Sequence, residues 1–255
     1  MTPLTVQSRP AAQFAPVPFT ALLRAEGLKA TSTRAARWLL AAIAAITIGG
    51  LEIPLLFPHQ VAQSRASYLT WAALGLTRLL PIVAMLAMTA EWSQRTALTT
   101  FTQEPRRGRV LAAKIVTGMG ISLAGSAYAL GVTELVVTVA SAAGRPIAAG
   151  LSWSQLAGFV VFVLLTSAIG IAFGALLHNT AVAIVTYFAL AGAFSLLMIP
   201  ALQAAGDWLN TGQTYGWVLD GEWAGHAGQI ATSTLLSVVL PLVAGIVRTQ
   251  RREVR

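Results

Sequence analysis

Apolar residues in this chain run in long unbroken blocks instead of alternating with polar ones. Six blocks stand out: Trp38–Phe57, Leu69–Ala90, Val110–Ala140, Gln155–Leu177, Ala181–Leu202 and Gln229–Val247. A bilayer core of about 30 Å is crossed by roughly 20 helical residues rising 1.5 Å each, so every block is long enough to span a membrane. The third is too long for a straight crossing, and its first turns are expected in the cytoplasm or among headgroups. Only His178-Asn179-Thr180 separates the fourth block from the fifth, which predicts a tight helical hairpin. The pattern predicts an all-α membrane protein with six transmembrane helices.

Composition excludes the main alternatives. Of 255 residues, 56% are hydrophobic and 10% charged, against roughly a quarter charged in a soluble domain. So few charges cannot coat a water-soluble globule, and so apolar a chain is not a disordered one. The net charge is +8, and fifteen of the seventeen basic residues are Arg. In a soluble protein that balance would suggest nucleic acid. Here the basic residues flank apolar blocks, so the expected partner is the lipid bilayer and not nucleic acid. There is no Cys, which removes disulfides and thiolate chemistry.

The distribution of Lys and Arg sets the expected orientation. Thirteen lie in residues 1–37, 91–109 and 248–255, whereas the opposite loops hold only Arg65 and Arg145. Basic loops stay inside, so both termini are expected to be cytoplasmic in a multi-pass protein of the cell (plasma or inner) membrane. Residues 1–18, with three prolines, read as a mobile N-terminal tail, and 248–255 as a basic cytoplasmic tail. Phe19–Arg37 reads as an N-terminal interfacial helix, with Phe19, Leu22 and Leu23 at the headgroup boundary and Arg24 and Lys29 meeting lipid phosphates; a solvated basic linker is the other reading. Between the fifth and sixth spans, Gln203–Gly228 carries Trp208, Tyr215, Trp217 and Trp223 with three acids and no base. Short outer helices at the water–lipid boundary would satisfy it, as would a simple aromatic belt.

Catalytic constellations are missing from the sequence. The three histidines fall in different loops, without a His-Glu-x-x-His pair. No Gly-x-Ser-x-Gly elbow occurs. A phosphate-binding loop needs Gly-Lys-Ser/Thr, but the two lysines, Lys29 and Lys114, are followed by Ala30 and Ile115. The chain is therefore not expected to be an enzyme, or to bind a nucleotide, metal or other cofactor by these motifs.

Ionisable residues inside spans are costly and call for a partner or a function. Counted from the inner boundary, Glu52 and Arg78 lie at nearly matching depths, roughly 21 and 18 Å at 1.5 Å per residue. An ion pair between spans one and two is expected, either as a structural clamp or as part of a substrate path. Glu134 lies near the outer boundary. Gly170 and Gly174 form a GxxxG in span four, which permits close helix contact without naming the partner.

The loop Glu91–Lys114 reads EWSQRTALTTFTQEPRRGRVLAAK. Ala97, Leu98 and Phe101 share helical i, i+3 and i+4 relations that would form a small apolar face. Pro105 ends the helix, because the residue before proline disfavours helical geometry. Such a helix suits docking into a groove on a soluble partner, and a plain interfacial loop is the alternative.

Glu91, Thr96, Pro105, Arg106, Arg107 and Lys114 together resemble the cytoplasmic loop of permease subunits of type-2 ATP-binding-cassette (ABC) exporters; Arg95 stands where that family usually has Gly. Two further stretches are similar to the family, AEGLKATSTRAARWLL and GIAFGALLHNTAVAI. The resemblance implies one ABC-type transmembrane domain over residues 19–247, with short helices between spans five and six. It also implies a coupling helix in which Glu91, Trp92, Thr96, Ala97, Leu98, Phe101, Pro105 and Arg106 meet a cytoplasmic ATPase, present in two copies and holding ATP and Mg. A second transmembrane subunit, identical or similar, would face this one, and a drug, antibiotic or lipid would move outward between them. A proton-coupled secondary transporter using Glu52, Arg78 and Glu134 is the competing expectation.

Overall fold

The computed structural model describes residues 17–94, 96–148, 150–196 and 202–251. Most of the tail 1–18, the end of the tail 248–255, Arg95 and the end of the expected fifth span lie outside the described residues. Within them the chain is helical. A short helix α1, Phe19–Ser32, breaks at Thr33, whose side chain caps α2, Arg34–Leu56. Then follow α3, Arg65–Ser93; α4, Ala97–Gln103; and α5, Arg107–Ala142. After α5 come α6, Trp153–Leu177, and α7, Thr180–Ser195. Three helices close the chain: α8, Gln203–Leu209; α9, Thr211–Asp220; and α10, Trp223–Thr234, which continues through a π-helical turn, Leu235–Val239, into α11, Leu240–Arg251.

Five of these segments are long and apolar enough to cross a membrane: α2, α3, α5, α6 and the run α10–α11. Of the expected fifth span, α7 covers Thr180–Ser195, and the remainder of the span lies largely outside the described residues. The expected short helices of the aromatic segment are present as α8 and α9. By contrast, the single helix expected over Phe19–Arg37 is two: Arg34 and Arg37 already belong to the first turn of α2.

At the centre stands α3, packed against α2, α5 and α6. Glycines set these approaches, since without hydrophobic drive in lipid, helices gain by bringing backbones together. Gly50 abuts the Trp71 carbonyl and Gly75 the Ile43 carbonyl, which locks α2 to α3. The GxxxG of α6 faces α3: Gly170 lies on the backbone of Pro81, and Gly174 against Met85 and Met88. A Cβ at Gly170 would meet the Pro81 Cα at 2.6 Å, a distance that only movement of backbone could relieve.

Proline explains two further details. Pro81 has no N–H and so leaves the carbonyl of Thr77, four residues earlier, without its helical donor. The phenol of Tyr187 on α7 donates to that carbonyl across 3.5 Å, tying α7 to the break. Pro241 likewise cannot pair with Ser237, and the wide π turn lies immediately before it.

The two described ends of the chain meet at one end of the bundle. In the first turn of α5, Arg109 donates to the Val17 carbonyl at 2.6 Å and Arg107 to the Thr249 carbonyl at 2.9 Å. At the opposite end, Arg65 pairs with Glu134 at 3.1 Å and Arg145 donates to the Leu55 carbonyl at 2.8 Å.

Candidate functional site

The end of the bundle that carries α4 gathers the densest polar chemistry in the molecule. Its centre is a four-charge cluster built from α1, α3 and α5. The Lys114 ammonium meets Glu26 at 2.7 Å and Glu91 at 2.8 Å, and gives its third proton to the Ala87 carbonyl at 2.9 Å. Three donors and three acceptors satisfy it completely, which suits the compact ammonium of Lys better than the flat fork of Arg. Lys29 adds contacts to Glu26 at 2.7 Å and to Glu91 at 3.4 Å. The chain has only two lysines, and both converge here. Glu26, Glu91 and Lys114 are buried, whereas Lys29 is half exposed.

The charges balance, two against two, so burial is compensated. Burial alone would raise the pKa of Glu26, but Lys114 and then Lys29 outweigh it, and the carboxyl ends below its ordinary value. Burial would likewise lower the pKa of Lys29, but Glu26 and Glu91 overcome it and hold the ammonium above its ordinary value.

Beside this cluster α4 is pinned on one side. Phe101 is wedged between the Trp92 ring, 6.2 Å away, and the Arg107 guanidinium, 5.0 Å from its centroid. Trp92 in turn lies 4.6 Å from the ring of His178, which takes the left-handed conformation in the α6–α7 hairpin and bonds Thr249 of α11 at 2.8 Å. The buried carboxylate of Glu104 closes the segment after α4, accepting from Arg109 at 2.7 Å and from the Arg106 N–H at 3.2 Å. Helices α3 to α6 and α11 are thus tied together at the foot of α4.

The expected loop residues divide into two groups. Glu91, Trp92, Ala97 and Phe101 are held by the bundle, whereas Thr96, Leu98, Pro105 and Arg106 are exposed. The predicted shared apolar face of Ala97, Leu98 and Phe101 is a correction. At 100° per residue Ala97 and Phe101 point inward one turn apart, and Leu98 turns away, 59% exposed. Lys29, expected at lipid phosphates, instead points into the cluster.

The expected Glu52–Arg78 ion pair does not form. Both residues are exposed, and no salt bridge within 4.0 Å joins them. Helix register is the reason. With Gly50 beside Trp71 and Gly75 beside Ile43, Glu52 stands level with Leu69 and Arg78 level with Leu40. That separates them by about nine to twelve residues, roughly 13–18 Å at 1.5 Å per residue.

Glu26 and Glu104 were missed by the sequence reading, and Lys114 was noted only for its place in the loop. A polar residue on an otherwise weakly amphipathic helix was the signal available for Glu26, but its buried partner Lys114 lies 88 positions away. No protein-family model matches this chain, and no curated protein matches it.

Proposed function

We propose that this chain is the transmembrane permease subunit of an ABC exporter, moving a drug, antibiotic or lipid outward, driven by a separate ATPase subunit. The observation that carries the reading is α4. One side of this helix is fastened through Ala97 and Phe101, and the other is left open at Leu98, Thr99, Thr102 and Gln103. A lever needs both properties: a surface for a motor to press and a stiff attachment that passes the push on. Through Trp92, Arg107 and the Lys114 cluster, a displacement of α4 reaches α1, α3, α5, α6 and α11 together.

The motor would lie in another molecule, because the chain carries no phosphate-binding motif. Two ATPase copies holding ATP and Mg, and a second transmembrane subunit, complete the proposed assembly in the cell membrane. Rigid-body tilting of the two bundles would then open a path alternately inward and outward. The rival proton-relay reading needs Glu52, Arg78 and Glu134 to communicate. Glu52 and Arg78 form no ion pair, and Glu134 is paired with Arg65 instead.

Co-purification from the native membrane tests the proposal. The chain should bring down a soluble protein with ATPase activity, and Leu98→Asp should remove it while leaving the chain monodisperse. Leu98 is the better probe than Phe101, whose replacement would also unpin α4. Purified chain that alone drives a solute uphill in liposomes would overturn the assignment.

A further inference from the structure

Arg78 occupies an unusual place. It lies thirteen residues along α3 from each of two charged layers, Arg65 at one end and Glu91 at the other. At 1.5 Å per residue that is about 20 Å from either layer, at the middle of the bundle. The boundary of a bilayer core is roughly 15 Å from its centre, farther than an arginine side chain extends, so snorkelling does not bring this guanidinium to water. Its side chain is exposed on the face of α3 beside α7, within electrostatic reach of Tyr187.

Among the described residues no carboxylate forms a salt bridge with Arg78. Of the eight described carboxylates, Glu26, Glu91 and Glu104 are engaged at the α4 end. Glu134 is paired at the other end, and Asp207, Asp220 and Glu222, around α8 and α9, make no salt bridge to Arg78. Glu52 is displaced by about 13–18 Å along the helix axis, nine to twelve residues at 1.5 Å each. Two-fold symmetry about the membrane normal preserves depth, so in a second copy the paired glutamates would remain at their own levels and the two arginines would share one.

A cation held unpaired in mid-membrane marks a path or a ligand. Leu74 and Ile82, one turn to either side of Arg78, are half-buried and apolar. We propose that Arg78 binds the acidic group of an anionic amphiphile, a carboxylate, sulfate or phosphate on an apolar body, as that group passes the bilayer centre. The inference deepens the exporter reading by naming its substrate class, and rests on the α3–α7 face lining the path. Resident lipids are a different case, because their phosphates stay at the boundary and do not reach this depth.

Spin-labelled fatty acid in phosphatidylcholine nanodiscs containing the full chain provides the test. The protein-bound fraction should favour the carboxylate over its methyl ester by about tenfold, the scale of one charge-assisted hydrogen bond. Arg78→Gln should abolish that preference and Arg78→Lys should keep part of it. Spin-labelled phosphatidylglycerol, anchored at the boundary, should show no dependence on Arg78. A preference unchanged in Arg78→Gln overturns the proposal, and so does an Arg78→Gln chain that fails to fold, since the guanidinium would then be paired with protein. The assay contains no ATPase. Loss of ATPase co-purification with the preference intact would therefore overturn the exporter and leave the anion site standing.

Discussion

Lys114 is the residue on which the α4 end depends most. Replacing it with Met strands two buried carboxylates, and breaking a buried pair from one side costs about 3–5 kcal/mol. A correspondingly large drop in melting temperature of the detergent-purified chain is expected, partly reversed when Glu26→Gln and Glu91→Gln are added. Acid and base should act on the same cluster. Glu26 has a depressed folded pKa, so its contribution is complete above the ordinary 4.5 and is lost as pH falls through the folded value. Lys29 has a raised one, so its contribution is complete below the ordinary 10.5 and is lost as pH rises through the folded value. Melting temperatures measured across pH should fall at both ends, and Lys29→Met should flatten the alkaline fall.

Helix contacts decide the next scale. The GxxxG of α6 was visible as a motif, but its partner was not, because any helix with a smooth face could have filled it. The structure seats it on the backbone of Pro81, where adding one methyl group forces α6 and α3 apart. Gly170→Ala should cost about 1–3 kcal/mol as an overpacked contact, read from thermal unfolding. Tyr187→Phe removes the phenol donor at the Thr77 carbonyl and should cost about 1 kcal/mol, with α7 the segment that loses hydrogen-exchange protection first. The failed ion pair belongs to this scale too. Depth counted from the edges of apolar blocks assumed that α2 and α3 begin level, and Gly50 and Gly75 set another register.

For the whole molecule, the basic bias of the α4 end gives an orientation that can be tested directly. The chain has no Cys, so single cysteines can be introduced without background. A cysteine replacing Gln103 should react with a membrane-impermeant maleimide only after the membrane is opened, and one replacing His59 should react in intact cells. Both sites are exposed, in α4 and in the loop between α2 and α3. Labelling of Gln103→Cys in intact cells would reverse the assigned orientation and with it the docking of a cytoplasmic motor.

Membrane character, the approximate positions of five long helices and the tight α6–α7 hairpin follow from block length and hydropathy. These are properties of short stretches, because lipid obliges each stretch to satisfy its own backbone. The convergence of Glu26, Lys29, Glu91 and Lys114, the inward turn of Phe101 and the isolation of Arg78 depended on helix register and rotation. Those are chosen by where glycines let two backbones touch, and that information is shared between residues dozens of positions apart, so folding had to bring them together before the chemistry could be read.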